Sequence, residues 1–230
     1  MDAEQWRSRL ATGHWFSHLP APFQLSLLAN SRVRQLAAGE YLFKRGDPPC
    51  GLYAVLEGAV RISAVNAQGK EAVLSLVESP YWFGEICLFD SLPRTHDALA
   101  MGPCTLLQIP QGPMLEILDN YPAYWRDVAL LMSHKLRLSL INIEQISLMP
   151  TSVRLAHRLL MIAEGYGEIA QTRRVLHLPQ EDLAAMLGLS RQTINSLLKA
   201  LEQQGILGLS YGAIEVLDLQ RLRQAAGVDA

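Results

Sequence analysis

The segment from Leu178 to Leu207, LPQEDLAAMLGLSRQTINSLLKALEQQGIL, limits the possible folds of this chain more than any other part of its sequence. Pro179 suits the first turn of a short helix, because the N–H that proline lacks would be unpaired there in any case. Gly188 suits a tight turn, and the Ser190 side chain can cap a following helix by accepting a hydrogen bond from its free N–H groups. Two helices joined by a short turn with glycine form a helix-turn-helix.

The second of these helices has one apolar face and one polar face. The apolar face has i, i+3, i+4, i+7 spacing, which is typical of packing on a core, and consists of Ile194, Leu197, Leu198 and Leu201. The polar face and the cap supply the candidate DNA-binding residues Ser190, Arg191, Gln192, Asn195, Ser196 and Lys199. In a helix-turn-helix the second helix lies in the major groove, where arginine binds guanine and glutamine or asparagine binds adenine. The alternative is an ordinary helical hairpin with a solvated polar face.

Two short strands are predicted to follow this helix. Gly205 favours a helix end in the left-handed conformation. The residues after it, ILGLSYGAIEVLD, are typical of two strands around Tyr211-Gly212. Such a hairpin would be the wing of a winged helix.

The part of the chain before residue 120 has a different pattern. Short runs rich in Val, Ile, Leu and Tyr alternate with glycines, as in YLFKRG, LYAVLEG, AVRISAV and EAVLSLV. The residues Asn66-Ala67-Gln68-Gly69 favour a hairpin turn between two of these runs. This spacing predicts an antiparallel sandwich or roll.

A long helix is predicted from Asn120 to about Met149. It should end there because proline, here Pro150, disfavours helix in the residue before it. A coiled-coil seam with polar interruptions is predicted at Leu131, His134, Leu138, Ile141, Gln145 and Leu148. The seam predicts a homodimer, and the alternative is a helix that packs only on its own sheet.

Composition excludes several classes of protein. A formal net charge of -2 excludes a generally basic, histone-like protein, although specific DNA binding needs only a local basic face. The three cysteines Cys50, Cys87 and Cys104 have no CxxC spacing, which argues against a disulfide framework and a metal site. No apolar stretch is long enough to span a membrane, so we expect a soluble, cytoplasmic protein. No common catalytic motif occurs, and we expect no enzyme activity.

The segment FGEICLFDSLPRTHDALA is the candidate sensing element. Gly84-Glu85 and Arg94-Thr95 place a carboxylate and a guanidinium near each other in the sequence. Arginine can bind a phosphate through two hydrogen bonds, and a carboxylate can accept from ribose hydroxyls. A structural ion pair is the alternative. In the interior of a roll, Arg94 would need either a bound anion or an internal partner such as Asp97 or Glu85.

Five segments of the chain resemble the cyclic-AMP receptor protein / fumarate–nitrate regulator (Crp/Fnr) family: GEYLFKRGD, LYAVLEGAVRI, FGEICLF, PRT and LGLSRQTIN. The resemblance extends from about Ser31 to Asp218. It implies an α+β fold with a jelly-roll, cyclic-nucleotide-binding-like sensor domain over residues 1–119. A dimerisation helix over 120–149 and a winged helix-turn-helix DNA-binding domain over 150–230 would follow.

The resemblance also implies roles for individual residues. Gly84 and Glu85 match positions that bind the ribose, and Arg94 and Thr95 match those that hold the cyclic phosphate. Leu74 matches a residue of the pocket wall, and Ser139 matches one that contacts the adenine. Arg191 and Gln192 match the pair that reads the DNA bases. The implied partners are a pseudo-palindromic double-stranded DNA site, a second copy of the chain and RNA polymerase.

Four departures from the family's pattern bear on the effector and the operator. Leu140 replaces a serine that reads the base, and Ser196 replaces a second arginine of the recognition helix. His96-Asp97 follows the phosphate motif, where it forms either a hydrogen-bonded turn or a metal or haem ligand pair, and Tyr81-Trp82 crowds the entry. The hypothesis is an anionic, nucleotide-like effector other than cyclic AMP, with no other cofactor. The alternative is an effector-independent or redox-responsive regulator with a vestigial nucleotide pocket.

Overall fold

The computed structural model describes residues 3–169, 172–210 and 212–228, which form a mixed α and β architecture. The chain divides into two compact units. The first comprises Met1–Ala64, Ser75–Arg137 and Glu168–Ala170, and the second comprises Val65–Leu74, Leu138–Gly167 and Gln171–Ala230. The predicted α+β class is confirmed. Among the described residues, no helix combines the length and the apolar character that crossing a membrane requires.

The first unit begins with short helices that cover one end of its core. A 3₁₀ turn over Ala3–Trp6 is followed by α1 (Arg7–Leu10), α2 (His14–His18) and α3 (Ala21–Ala29). Pro20 precedes α3 and Pro22 lies in its first turn, where a missing N–H leaves no hydrogen bond unmade. Phe16 stacks on Trp82 with ring centres 5.6 Å apart, which joins these helices to the sheets behind them.

Two four-stranded sheets follow these helices along the chain. Their strands are β1 (Arg32–Leu36), β2 (Tyr41–Phe43), β3 (Leu52–Glu57), β4 (Ala59–Val65), β5 (Glu71–Glu78), β6 (Trp82–Phe83), β7 (Asp97–Ala100) and β8 (Cys104–Ile109). The strand orders are β1-β8-β3-β6 and β2-β7-β4-β5, and the pairs of β8 with β1 and β3 are antiparallel. The predicted roll is confirmed. A short helix that was not predicted, α4 (Ile86–Asp90), lies between β6 and β7.

The predicted start of the long helix is wrong by several residues. The chain is already helical in α5 (Gln111–Asn120), and the long helix α6 runs over Tyr124–Leu148. The break falls at Tyr121, whose φ of −131° and ψ of 73° are not helical. Tyr121 precedes Pro122, and a residue before proline is disfavoured in the helical region. At 1.5 Å per residue, the 25 residues of α6 give a length of about 37 Å.

One position of the predicted seam on α6 faces the core of its own chain. Leu131 is 1% exposed and belongs, with Val128, to the core cluster of the first unit. The prediction is therefore wrong for Leu131, because period alone does not say which apolar side of a helix meets its own sheet. Ile141 and Leu148 are 36% and 69% exposed in the single chain.

The second unit has the order of a winged helix-turn-helix. As predicted, α6 ends before Pro150, and α7 (Thr151–Ala163) begins immediately after it. A 3₁₀ turn (Gly165–Gly167), β9 (Val175–Leu176), α8 (Gln180–Leu187), α9 (Arg191–Gln203), β10 (Leu207–Ser210), β11 (Ala213–Val216) and α10 (Leu219–Ala225) follow. Strands β10 and β11 pair and extend to β9. They form the predicted wing around Gly212, whereas Tyr211 lies outside the described residues.

Candidate effector site and DNA interface

Arg94 lies at the centre of the candidate effector site in the first unit. Its side chain is 4% exposed, and its guanidinium carbon lies 4.4 Å from the centre of the Phe43 ring. The guanidinium donates to Gly84 O at 3.0 Å and to Gly51 O at 2.6 Å. It also donates to the Cys50 Sγ from Nε at 3.3 Å and from Nη2 at 3.1 Å. Within the described part of the chain, none of its hydrogen-bond partners is a carboxylate.

Gly84 permits this close packing around Arg94. Its φ is +97°, a value that side chains rarely allow. A Cβ at this position would lie 2.9 Å from Arg94 Nη1 and 2.9 Å from Gly51 O. The glycine that the motif supplies is therefore required both by the backbone conformation and by the nearby guanidinium.

Glu85 is also buried, and it is paired with the long helix. The side chain is 2% exposed, and its Oε2 lies 2.7 Å from Lys135 Nζ. Lys135 is on α6, and its ammonium lies 5.1 Å above the centre of the Tyr81 ring. The alternative in which Glu85 or Asp97 is the internal partner of Arg94 is wrong, because each carboxylate has another donor.

The donor to Asp97 is a backbone N–H group. Asp97 Oδ1 accepts a hydrogen bond from Arg45 N at 2.7 Å, and His96 Nδ1 lies 2.9 Å from Thr95 Oγ1. Burial and the charge of Arg45 lower the pKa of His96. These contacts form the local hydrogen-bonded turn that was one of the two interpretations of His96-Asp97. Thr95 is exposed, whereas Arg94 and Glu85 are both buried.

The remaining effector candidates belong to the second unit. The carbonyl of Leu74 accepts from Arg158 Nη1 at 3.2 Å, and the Leu74 side chain is exposed. Ser139 and Leu140 lie on the part of α6 in this unit, and both are exposed. The structure thus brings Gly84, Glu85 and Arg94 into one buried site. Leu74 and Ser139 belong to the other unit.

Local signals fix both ends of the recognition helix α9. Ser190 Oγ accepts from Thr193 N at 3.1 Å, so Ser190 is the predicted N-cap. Before it, Gly188 has a φ of +63° and closes α8. At the other end Gly205 N donates to Glu202 O at 2.8 Å and Ile206 N donates to Leu201 O at 3.0 Å. This pair of hydrogen bonds around a left-handed glycine is a Schellman motif.

The outer face of α9 carries the predicted DNA-binding side chains. Arg191, Gln192, Ser196 and Lys199 are exposed and Asn195 is half-buried, while Ile194, Leu198 and Leu201 are buried on the opposite face. An open groove of about 500 Å³ is lined by Gln180, Arg191, Gln192 and Asn195. Sequence reasoning missed Gln180. It is the first residue of α8, and the first helix of such a motif crosses the DNA backbone.

Comparison with known proteins gives the same two-part organisation. A model of the cyclic nucleotide-binding domain matches residues 33–121, and one of the Crp-like helix-turn-helix domain matches residues 153–225. The cyclic AMP receptor protein of Thermus thermophilus is 29% identical over 211 residues, which cover 91% of this chain and 95% of that protein. The transcriptional regulator SdrP of the same organism is 31% identical over 194 residues, which cover 80% of this chain and 92% of SdrP. The chain belongs to the Crp/Fnr family of transcriptional regulators.

A solved structure extends this family assignment to the fold. A Crp/Fnr-family transcriptional regulator from Thermus thermophilus superposes with a TM-score of 0.67 at 29% identity. The match covers 85% of this chain and 98% of that structure. As a Crp/Fnr protein, the chain is a DNA-binding regulator with a cyclic nucleotide-binding domain, and its relatives are transcriptional regulators rather than enzymes.

Proposed function

We propose that this Crp/Fnr regulator is a homodimer whose DNA binding is controlled by an anionic, nucleotide-like effector held at Glu85 and Arg94. The observation that carries the proposal is the buried guanidinium of Arg94. Its two carbonyl acceptors, Gly84 O and Gly51 O, are neutral, and no carboxylate among the described residues contacts it. A buried charge without a counter-charge costs several kcal/mol, and a phosphate would supply that counter-charge.

The chemistry around Arg94 suits a sugar phosphate. A guanidinium can direct two parallel N–H groups at a phosphate, and Gly84 leaves backbone space next to it because it has no Cβ. Glu85 can accept from a ribose hydroxyl. A hydroxyl that binds there competes with Lys135, so the effector would change a contact made by the long helix α6.

The residue at position 140 supports a nucleotide effector other than cyclic AMP. Leu140 has no hydrogen-bonding group at the position where the family's cyclic-AMP readers have a serine. An adenine that is not read by a hydrogen bond loses discrimination against other bases. The Thermus relative is named a cyclic AMP receptor protein, so cyclic AMP belongs in any panel of ligands to be tested.

The DNA half of the proposal follows from the recognition helix and a two-fold axis. Two copies of α9 in a symmetric dimer would read half-sites about 34–36 Å apart on a pseudo-palindrome. Arg191, Gln192 and Asn195 would contact base edges, Ser196 would offer a shorter contact, and Lys199 would bind phosphate. RNA polymerase is the proposed protein partner at the promoter.

Calorimetric titration with cyclic AMP, cyclic GMP and cyclic dinucleotides, with inorganic phosphate as the reference anion, tests the effector site. We expect one nucleotide to bind and to change affinity for operator DNA. Arg94→Ala should abolish that binding, Arg94→Lys should weaken it because lysine lacks the fork, and Leu140→Ser should raise the affinity for cyclic AMP. Circular dichroism of each variant separates loss of the ligand from loss of the fold.

Two results would contradict the proposal. If no phosphate-bearing ligand protects the protein from thermal unfolding, Arg94 has a purely structural role. If the unaltered protein binds cyclic AMP with micromolar affinity and responds to it on DNA, the interpretation of Leu140 is wrong.

A further inference from the structure

The three cysteines of the chain occupy very different environments. Cys50 lies between β2 and β3, is half-buried, and its Sγ receives two hydrogen bonds from the Arg94 guanidinium. Cys87, in the first turn of α4, is buried. Cys104, at the start of β8, is buried. The Cys50 thiol therefore contacts a guanidinium that is itself 4% exposed.

The charge of Arg94 gives Cys50 a specific chemical role. The other acceptors of this guanidinium are neutral backbone carbonyls, so a thiol is the side chain in contact with it that can become negative. Hydrogen bonds in which the donor or the acceptor is ionised are roughly twice as strong as neutral ones. A cysteine beside arginine and partly open to solvent has the environment of reactive thiols.

The other two cysteines lack this combination of charge and access. Burial raises the pKa of the Cys104 thiol to about 11, and burial also raises the pKa of the Cys87 thiol in spite of the nearby Arg94. Both side chains are therefore protonated at neutral pH and shielded from reagents in solution. A thiol in that state is inert, since the thiolate is the nucleophile.

We propose that Cys50 is a site of oxidation, at which a peroxide converts the thiolate to a sulfenic acid beside Arg94. The sulfur attacks one peroxide oxygen, a sulfur–oxygen bond forms, and the oxygen–oxygen bond breaks. The leaving hydroxide or alkoxide takes a proton from water, so that sulfur is oxidised by two electrons and the peroxide is reduced. The product is a first and reversible step of cysteine oxidation.

This modification changes the state of the Arg94 cluster. A sulfenic acid carries one more oxygen than the thiol it replaces, so the group that receives two hydrogen bonds from Arg94 changes in size and in hydrogen-bonding capacity. The sulfur and an external anion would also use the same Nε and Nη2 donors of Arg94. Peroxide exposure would thereby alter the buried site directly, whichever effector that site accepts.

Trapping of sulfenic acid in the intact protein tests the proposal without any effector. The protein is treated with hydrogen peroxide in the presence of dimedone, and the labelled cysteines are mapped by mass spectrometry. We expect Cys50 to be labelled about tenfold or more faster than Cys104. In guanidinium chloride, where the microenvironments are lost, alkylation by iodoacetamide should proceed at similar rates at all three cysteines.

Removal of the nearby charge supplies a second, matched comparison. Arg94→Gln should slow labelling of Cys50 several-fold. Arg45→Gln removes one charge from an exposed side chain of the same β2–β3 connection and should leave labelling unchanged. Equal labelling rates for Cys50 and Cys104 in the native protein would overturn the proposal, and so would equal rates of Cys50 labelling in the two variants. The comparison of Cys50 with Cys104 in the unaltered native protein stays decisive if Arg94→Gln does not fold.

Discussion

Arg94 and Gly84 depend on each other at the scale of single residues. The guanidinium reaches its carbonyl acceptors because no side chain grows from Gly84 toward it. Backbone strain and crowding coincide at this position, since φ is +97° and Gly51 O cannot move away as a flexible side chain would. The buried arginine is therefore tolerated through a feature of its neighbour rather than through an ion pair.

We predict that Gly84→Ala destabilises the protein by about 2–4 kcal/mol, because it combines left-handed strain with overpacking. Gly39→Ala is the matched control in the same unit, since its φ is +77° and a Cβ there would meet nothing within 4 Å. The control should cost only the strain, about 1–2 kcal/mol. Urea denaturation measures both. Equal losses of unfolding free energy in the two variants would show that crowding against Arg94 and Gly51 does not contribute to the destabilisation.

Only some of the contacts of Arg94 could be predicted from the sequence. Gly84, Glu85 and Arg94 are ten residues apart or fewer, so their closeness in space could be predicted from the sequence, although the short helix α4 lies between Glu85 and Arg94. The two other contacts, Cys50 and Gly51, come from 44 and 43 residues away. They depend on the pairing of β3 with its neighbours, which no local pattern specifies. Asp97, one of the two internal partners considered for Arg94, instead accepts from a donor 52 residues away, which no local pattern specifies either.

At the scale of elements, a helix could be predicted where the residues that start, pack and end it all lie within the helix or next to it. The recognition helix has its cap at Ser190, its apolar stripe and its terminating glycine within sixteen consecutive residues, 190–205. Helix α5 was missed because Gly112-Pro113 is typical of a turn. Pro113 in fact lies in the first turn of α5, where its absent N–H leaves no hydrogen bond unmade.

The outer face of α9 gives a prediction about DNA reading. Arg191→Ala should cost about 1–3 kcal/mol of binding free energy and relax the preference at one base pair in each half-site. Lys199→Ala should weaken binding to all sequences alike, because a phosphate contact carries no sequence information. Ser196 should give weaker discrimination at the neighbouring position. Binding-site selection measures all three effects, and a full family motif that is equally sharp next to Ser196 would contradict the last.

At the scale of the whole molecule, the long helix carries apolar side chains that its own chain does not cover. The exposed ones on α6 are Leu130, Leu136, Leu140, Ile141, Ile143, Ile146 and Leu148. Charged groups would be expected on a solvated helix face, so this composition favours a second copy of the chain as the cover. The sequence period suggested a partner, but it could not assign Leu131 to the protomer's own core.

We predict that Ile141→Glu raises the dissociation constant of the dimer at least about 100-fold, because a charge would be buried in the proposed interface. Leu131→Ala is the contrasting change: it should cost about 2–5 kcal/mol of folding stability through a core cavity and leave the association of folded chains largely intact. Sedimentation at micromolar concentration and urea denaturation distinguish the two. A monomer of the unaltered chain that still binds operator DNA tightly would contradict the prediction.

The two ends of α9 have a consequence for how this regulator could change its targets over time. Ser190 starts the helix and Gly205 stops it, while Ile194, Leu198 and Leu201 hold it in place. Five other side chains of α9 are proposed to contact bases or phosphate: Arg191, Gln192, Asn195, Ser196 and Lys199. None of them caps the helix, ends it or belongs to its buried apolar face. Substitution at these positions costs little stability, so operator preference is free to drift while the scaffold persists. Mutations at these positions can therefore change the operator sequence that the protein binds while the fold of the helix-turn-helix stays the same.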